Sequence, residues 1–267
     1  MLSANPAGFG QPITNRAAWD VAASNPGLKG IVLRATRLAG QPDPALPDDL
    51  YLDCSRTGNR DRAQAVMFAR SERLAAFALA ECVENKGRFI KPLEATIEAI
   101  CSERAWPYPA HDLGLNVFHG HTMNPDLRAT TLAFELATAD YLLGDRLPAA
   151  THELIRDNIR RRVLIPVRET MEGRAHQAHW LAISNNWNAV CLAGTVGAAL
   201  AIEPSREDRA FFIAGAEHYI EIFLHGFGSD GYCYEGVGYW NYGFGRFVVL
   251  TEEIRQATAG KVDLFAL

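Results

Sequence analysis

The sequence lacks both a long apolar run and a surplus of positive charge. Its 267 residues carry 26 Lys and Arg against 31 Asp and Glu, which gives a formal net charge of −5. No apolar stretch reaches the roughly eighteen residues that a membrane-spanning helix needs. The acidic balance argues against a surface that binds nucleic acid or coats another polyanion. We therefore expect a protein that neither inserts into a membrane nor binds nucleic acid.

The N-terminal stretch MLSANPAGFGQPITNRAAWD lacks the features of a signal peptide. It has no basic segment followed by an apolar segment, the two parts that a secretory signal combines. The residues alone therefore leave the location unknown: the protein is cytoplasmic, or this sequence begins downstream of a signal.

Cysteine pairs and cofactor motifs are also missing. The five cysteines are widely spread, form no CxxC pair and show no zinc spacing with histidine. They are Cys54, Cys82, Cys101, Cys191 and Cys233. GxSxG, P-loop and dinucleotide-binding fingerprints are absent from the sequence as well. We expect buried thiols, with no disulfide framework, no metal and no cofactor.

Helical periodicity dominates the sequence from about residue 60 onward. Hydrophobic content of 48% and charged content of 21% are ordinary for a globular protein of one large or two small domains. Apolar residues recur at helical spacing in eight segments. These are Arg60–Asn85, Arg88–Arg104, Asp126–Leu143, Pro148–Val163, Ile165–Gly173, Asn188–Ile202, Ser205–Leu224 and Gly243–Thr258. Helical hairpins in series favour a solenoid or a ring of helices around a central cleft.

The first 56 residues are only weakly periodic and rich in Pro, Gly, Ala and Asn. We predict an irregular arm over 1–56, with a short helix near Ala17–Ser24, a strand-like Lys29–Arg37 and an extended stretch at 39–51. The helical domain then occupies 57–267.

A glycine-rich aromatic stretch, DGYCYEGVGYWNYGFGR at 230–246, is the most unusual segment. Glycine lets the backbone approach a ligand, and tyrosine combines a stacking ring with a hydroxyl group. Tyr239, Trp240 and Tyr242 suit a sugar-binding surface, although Tyr239 and Trp240 would also fit a core. Glu235 is the acid of this stretch that suits chemistry, and a glycosidase could use it with a second acid such as Asp230 or Asp112.

A second polar cluster, SNNWN at 184–188, precedes a segment that is almost wholly small and apolar. Asn is a preferred helix N-cap, so one amide would serve only that role. Asn185 and Asn186 at the positive end of a buried helix also form a place to hold a carboxylate. His179, just upstream, and His121, in FHGHT, could line the same cleft or be structural.

Taken together, these segments resemble the heparinase II/III family of polysaccharide lyases, which includes alginate and oligoalginate lyases. The resemblance rests on 230–243 and 184–194, on DLRATTLAFELATADYLLGDRL at 126–147, on AWPYPAHD at 105–112 and on the terminal VDLFAL. It implies an all-α fold, an incomplete (α/α) toroid, that is normally followed by a β-sandwich domain. We expect the chain to contain the toroid without that sandwich. Family members are commonly periplasmic or secreted.

The resemblance also implies β-elimination on glycans that contain 4-linked uronic acid. That reaction needs a donor that neutralises the uronate carboxylate, a base for the C5 proton and an acid for O4. Asn185 or Asn186 matches the neutralising amide, and Tyr242 matches the catalytic tyrosine, with Tyr239 as the second choice. Trp187 stands where many members have a histidine. Trp187, Tyr239, Trp240, Glu235, His179 and His121 are the predicted substrate-binding residues, and the expected partner is a uronate polysaccharide or oligosaccharide.

Two other functions stay open at this stage. The same aromatic residues could stack sugars on a non-catalytic helical scaffold, and Glu235 could serve a glycosidase.

Overall fold

The computed structural model describes residues 2–267 as an all-helical protein, with 68% of the residues in helices and no strand. An isolated antiparallel bridge joins Phe227 to Cys233. The predicted all-α class is confirmed. Over the same residues, none of the helices combines the length and the apolar character that crossing a membrane requires.

Twelve α-helical segments follow one another along residues 2–267. They are α1 (Arg16–Ala22), α2 (Pro26–Ala39), α3 (Asp48–Thr57), α4 (Asp61–Glu84), α5 (Ile90–Cys101), α6 (Leu127–Leu143), α7 (Ala149–Ile159), α8 (Ile165–Met171), α9 (Asn186–Ile202), α10 (Arg206–Leu224), α11 (Val237–Tyr239) and α12 (Gly245–Thr258). Two π-helical turns, Arg160–Leu164 and Trp240–Phe244, join α7 to α8 and α11 to α12.

The eight helices predicted from residue 60 onward are confirmed, with ends shifted by a few residues. The sequence predicted that Gly87 ends the first of them. Helix α4 in fact stops at Asn85, which adopts the left-handed conformation (φ 52°) and donates its N–H to the Glu81 carbonyl. Asparagine tolerates this conformation better than most residues, so it can replace glycine as a helix terminator.

The strand-like interpretation of Lys29–Arg37 is wrong, because this segment lies inside α2. Its β-branched residues suggested a strand, whereas the decisive signal is at the start of the helix. The Asn25 side chain caps the helix by accepting from the Gly27 N–H (2.8 Å), and Pro26 occupies the first helical position. Packing of α2 against α4 then buries Ala35.

The arm expected over 1–56 is therefore irregular only in part. Helix α3 begins at Asp48, within the stretch predicted to be extended. The negative charges of Asp48 and Asp49 in its first turn stabilise the helix through its positive N-terminal end. It ends at Thr57, next to the predicted domain boundary. The division into an arm and a helical domain stays a prediction.

Helix α9 lies at the centre of the packing, as its apolar composition predicted. Every residue of the helix except Trp187 is buried, and the helix contacts α6, α10 and α12. A Cβ at Gly194 would lie 2.4 Å from the Thr130 carbonyl oxygen, and one at Gly197 would lie 2.4 Å from the Phe134 ring. Two glycines thus let α9 and α6 approach closely, which fixes the position of the α9 N-terminus.

The remaining helices pack in a regular alternation. Helices α4, α6, α9 and α12 contact one another in that order, while α5 packs on α4, α7 on α6, and α10 on α9. The long link between α5 and α6 is organised by Asp112. Its carboxylate accepts from the N–H groups of Val117 and Phe118 (2.9 Å each) and from the Tyr51 hydroxyl (3.1 Å).

Candidate functional site

The aromatic stretch folds as an exposed turn followed by the π-helical turn. Tyr239 is 52% exposed and Tyr242 is 39% exposed, so neither is a core residue. Trp240 is half-buried, stacks on Phe244 with ring centroids 4.9 Å apart, and donates its indole N–H to the Gly231 carbonyl (3.2 Å). The loop thus presents its tyrosines outward and uses its tryptophan to hold its own shape.

The π-helical turn brings Tyr242 close to the start of α9. A Cβ at Gly243 would lie 3.0 Å from the Phe223 ring and 3.2 Å from the Asn186 Cβ atom, which is tighter than ordinary packing. Glycine at 243 therefore permits this approach. Single π-helical turns inserted in helices are frequent at functional sites because they re-aim side chains.

Asn185 and Asn186 occupy the start of α9, as the sequence predicted. The Asn185 side chain caps the helix by accepting from the Trp187 N–H (3.0 Å). Asn186 is buried and binds Glu235 twice: its backbone N–H donates to Oε2 (2.6 Å) and its Nδ2 donates to Oε1 (2.8 Å). This end of α9 does hold a carboxylate, and that carboxylate belongs to the aromatic loop.

Trp187, the next residue, is half-buried in a row of aromatic rings. The centroid of its ring lies 4.6 Å from that of His111 and 5.5 Å from that of His179. Tyr108 meets the other side of His111 edge-on at 5.5 Å. His121 is exposed, and its ring pairs with His119 in the same loop (5.8 Å) and not with this row.

His111 is joined to the N-cap of α6. Its Nδ1 lies 2.6 Å from Asp126 Oδ2, the same oxygen that accepts the Tyr108 N–H at 3.0 Å. The other oxygen of Asp126 caps α6 by accepting from the Ala129 N–H (2.9 Å). The buried Asp126 carboxylate thus fixes the Tyr108–His111 turn against α6 and, through His111, against Trp187.

Arg246 adds an unpaired cation one helical turn after Tyr242. It is partly buried, and its guanidinium forms no ion pair and no hydrogen bond with any other residue in the described range 2–267. Residues four apart lie on the same face of a helix. The guanidinium charge opposes the effect of burial, which raises the pKa of Tyr242.

Tyr108 and Tyr242 belong to one electrostatic environment. Burial and, after it, the charge of Asp126 raise the pKa of Tyr108 to about 12, with a smaller contribution from Tyr242. The same Asp126 charge contributes to the raised pKa of Tyr242. The charge of Asp126 thus raises the pKa of both tyrosines, which indicates that Tyr108 and Tyr242 lie in the same part of the molecule.

Two buried carboxyl groups lie farther along α6 and α12. Burial raises the pKa of Glu253 well above its ordinary value and also raises that of Glu135, while the Arg246 charge lowers both. Neither oxygen of Glu253 has a hydrogen-bond partner among the described residues. Arg246 is thus flanked by Tyr242 at the site and by protonatable carboxyl groups within the helix layer.

A groove of about 870 Å³ lies elsewhere, along α6 and α7. Its most buried charged group is satisfied within the protein: the Asp140 carboxylate accepts two hydrogen bonds from Arg156 (2.9 and 3.0 Å) and pairs with His152. Both ring nitrogens of His152 thus have partners, so we place the candidate site at the α9 N-terminus.

Sequence reasoning brought Tyr242, Asn185, Asn186, Trp187 and His179 to one region, and the structure groups them there. Sequence reasoning did not identify Tyr108, His111, Asp126 and Arg246. Three of these lie in segments already noted for their motifs, and the fourth ends the aromatic stretch. Their role depends on contacts between distant segments, which no local pattern reveals.

No family model matches the chain, and no curated protein matches it significantly. The similarity to heparinase II/III lyases therefore remains an interpretation of the motifs quoted above.

Proposed function

We propose that this protein is a polysaccharide lyase domain that cleaves 4-linked uronic-acid glycans by β-elimination. The supporting observation is that Tyr242, which is partly exposed, lies one helical turn before Arg246, whose guanidinium has no partner within residues 2–267. Both residues lie beside the aromatic row. A β-eliminating site needs these two kinds of group, one to move protons and one to neutralise a carboxylate.

The packing supports the toroid that this family would imply. We propose that α4, α6, α9 and α12 form part of the inner layer of an incomplete (α/α) ring, since they contact one another in chain order. Helices α5, α7 and α10 would form the outer layer. The starts of α6, α9 and α12 supply Asp126, Asn186 and the Tyr242 turn, which fits a cleft at one end of such a ring.

Charge neutralisation would fall mainly to Arg246. The C5 proton of a uronate is too weakly acidic to remove unless the adjacent carboxylate loses its negative charge to a donor or a cation. Asn185 or Asn186 remains the predicted amide donor, but Glu235 already accepts from the backbone N–H and from Nδ2 of Asn186. A substrate carboxylate would have to displace Glu235 there, whereas the Arg246 guanidinium is already free.

Tyr242 would protonate the leaving O4, and it could remove the C5 proton as well only after its own hydroxyl had lost a proton to solvent. Its pKa is raised by burial, so the hydroxyl carries a proton at neutral pH, as an acid must. Trp187, Tyr239 and His179 would line the subsites, because sugar rings stack on aromatic faces. Trp240 would support this wall through its stacking on Phe244.

The test is an ultraviolet assay, because elimination creates a conjugated unsaturated uronate that absorbs in the ultraviolet. Hydrolysis and binding create no such product. The panel contains heparin, heparan sulfate, alginate and other polyuronates. We expect an absorbance rise on at least one of them, and Tyr242→Phe should lower kcat by at least about 1,000-fold, near the upper range for a proton-transfer group. Tyr234→Phe is the matched control, because Tyr234 is 70% exposed in the same loop. No rise on any polymer would contradict the proposal.

Glu235 favours the lyase over the glycosidase alternative. A glycosidase acid must donate a proton, whereas both Glu235 oxygens accept hydrogen bonds from Asn186. Glu235→Gln should weaken the loop attachment and leave measurable elimination. Hydrolysis that is lost in Glu235→Gln would instead establish the glycosidase, and saturable binding without any product would establish a scaffold.

A further inference from the structure

A small cavity lies between α9, α12 and the N-terminal segment, towards the C-terminal end of α9. Its volume is about 100 Å³. Gly197 and Leu200 line it from α9, and Glu253 and Ala257 line it from α12. Gly197 stands eleven residues after Asn186, which is about 16 Å along a helix that rises about 1.5 Å per residue. The cavity is therefore separate from the site assigned to the lyase reaction.

The N-terminal segment is fastened over this cavity by hydrogen bonds. The buried Arg209 guanidinium donates to all three carbonyl groups of residues 3–5, at 2.9 to 3.0 Å. Farther along, the Ala7 N–H donates to the Leu200 carbonyl of α9 (2.9 Å). Because the segment is bound to α9 and α10 at these two points, the cavity wall that it forms is a fixed part of the fold.

The Glu253 carboxyl group lines the cavity without a partner. The residue is 3% exposed, and neither carboxyl oxygen has a hydrogen-bond partner among residues 2–267. Its Oε1 lies 3.0 Å from the position that a Cβ atom would take at Gly197, so this glycine leaves the space beside the carboxyl group open. A buried carboxyl group without a partner costs free energy, and it costs more when it is charged. The cavity therefore lacks a group that donates hydrogen bonds and carries positive charge.

The other walls determine what kind of cation would fit. Apolar atoms of Ala7, Phe9, Leu200 and Ala257 surround the carboxyl group and favour an alkyl group beside it. A divalent metal ion fits poorly, because it needs about six oxygen ligands and residues 2–267 contain no group of three His, Cys, Asp or Glu side chains that could hold one. The volume equals that of about three waters at roughly 30 Å³ each, which corresponds to an organic ion of about three non-hydrogen atoms.

We propose that this cavity binds a small primary alkylammonium ion, whose N–H groups donate to the Glu253 carboxylate while its alkyl chain contacts the apolar walls. Burial raises the pKa of Glu253 well above its ordinary value, so a carboxyl group that is protonated beforehand releases its proton to solvent as the cation binds. The site is independent of the proposed lyase function. Since the ligand would contact α9, α12 and the N-terminal segment together, its binding would stabilise their packing.

The test uses ethylammonium as the probe and ethanol as its neutral control, since both have three non-hydrogen atoms. Saturation-transfer NMR measures binding at pH 8 in phosphate buffer, which contains no amine, with sodium chloride holding the ionic strength constant. We expect saturable binding of ethylammonium with a Kd of about 0.5 to 5 mM, near the limit for so few atoms. Ethanol should bind at least about 10-fold more weakly, because it lacks the charge.

Three variants locate the binding. Glu253→Gln keeps the shape of the side chain and removes its charge, so the Kd should rise by about 10- to 100-fold. Glu252→Gln is the matched control, because Glu252 is 46% exposed and pairs with Arg255 at 2.9 Å. Ala257→Leu fills the cavity and retains Glu253, so it should weaken binding by a similar factor and does not depend on the folding of Glu253→Gln. Circular dichroism and thermal unfolding check that each variant folds.

Two results would overturn the proposal. The first is a wild-type protein that shows no saturable binding of ethylammonium up to about 50 mM, ten times the weakest Kd expected. The second is binding by Glu253→Gln or by folded Ala257→Leu with a Kd within about 2-fold of the wild type, far below the loss expected for a charged hydrogen-bond partner. Either result would mean that the cavity holds only water and that Glu253 has no ligand.

Discussion

This molecule contains two histidine–aspartate pairs, and they differ in whether the second ring nitrogen of the histidine has a hydrogen-bond partner. In the groove along α6 and α7, His152 pairs with Asp140 through Nδ1, and its Nε2 faces the Gly144 carbonyl at 3.1 Å. At the candidate site, His111 pairs with Asp126 through Nδ1, and its Nε2 has no partner in the described chain. Both ring nitrogens of His152 therefore have partners, while Nε2 of His111 is free to bind a ligand.

The aspartates differ in the same way. Asp140 also binds the Arg156 guanidinium through two hydrogen bonds, so its cluster contains its own counter-charge. Asp126 accepts from backbone N–H groups, and Arg246, one helical turn after Tyr242, has no ion-pair partner in the described residues 2–267. A cluster whose groups satisfy one another stabilises a fold, whereas one that leaves a base and a cation unsatisfied can act on a substrate.

The largest effect expected within this comparison concerns the unpaired cation. Arg246→Gln removes the charge that would neutralise the uronate, so kcat should fall by about 100- to 1,000-fold, the loss typical of one electrostatic donor in a catalytic site. The thermal midpoint should change little, because no ion pair is broken. Arg255→Gln is the control on the same helix, where Arg255 already pairs with Glu252. If Arg246→Gln and Arg255→Gln are both as active as the wild type, Arg246 has no role in the mechanism.

The cluster of Asp140, His152 and Arg156 should show the opposite pattern, a loss of stability with little loss of activity. Asp140→Asn leaves Arg156 and His152 without their buried counter-charge, and we expect a loss of about 3 kcal/mol in the free energy of unfolding. Specific activity of the folded protein should stay within about 2-fold, since the cluster contains no group assigned to the reaction. Urea denaturation measures the first quantity, with Asp145→Asn as the exposed control in the same groove. A large loss of activity without a loss of stability would mean that this groove is the site.

The smallest effect concerns pH and the buried Glu253. Burial raises its folded-state pKa well above the ordinary 4.5, so the folded state binds more protons than the unfolded state above that pH. Stability contributed by the protonated form is therefore present at low pH and declines as pH rises towards the folded-state pKa.

Glu253→Gln should remove that decline. We expect the variant to be more stable than the wild type at pH 8 by about 1 kcal/mol, as for relief of one unpaired buried group, and closer to it at pH 5. Urea denaturation at the two pH values measures the difference, and Glu252→Gln serves as the partly exposed neighbour. A constant difference at both pH values would show that Glu253 does not titrate in this range.

Much of the fold was predictable because its signals are local. Helical periodicity defined the segments from residue 60 onward, and the apolar, glycine-containing 188–202 predicted a buried central helix that the packing confirms. The failure at Lys29–Arg37 has a physical cause: β-branched residues outweighed the Asn25–Pro26 cap, although tertiary packing readily overrides such propensities.

The candidate site was predictable only where its residues are close in sequence. Asn185, Asn186 and Trp187 stand together, and Tyr242 follows from the aromatic stretch. The hydrogen bond from Asn186 to Glu235 and the ring contact of Trp187 with His111 join segments 49 and 76 residues apart, and neither follows from a local pattern. Which polar groups are satisfied and which are free, the property that separates the two clusters, depends wholly on such contacts.

The most direct test of the central claim is mass spectrometry of the products formed from a defined uronate oligosaccharide by the wild-type protein and by Tyr242→Phe. Elimination predicts a pair of products in which one fragment is lighter by one water than a hydrolysis product, and this fragment should disappear with Tyr242→Phe. Products with the full mass of hydrolysis, or an unsaturated fragment formed equally by both proteins, would contradict the account.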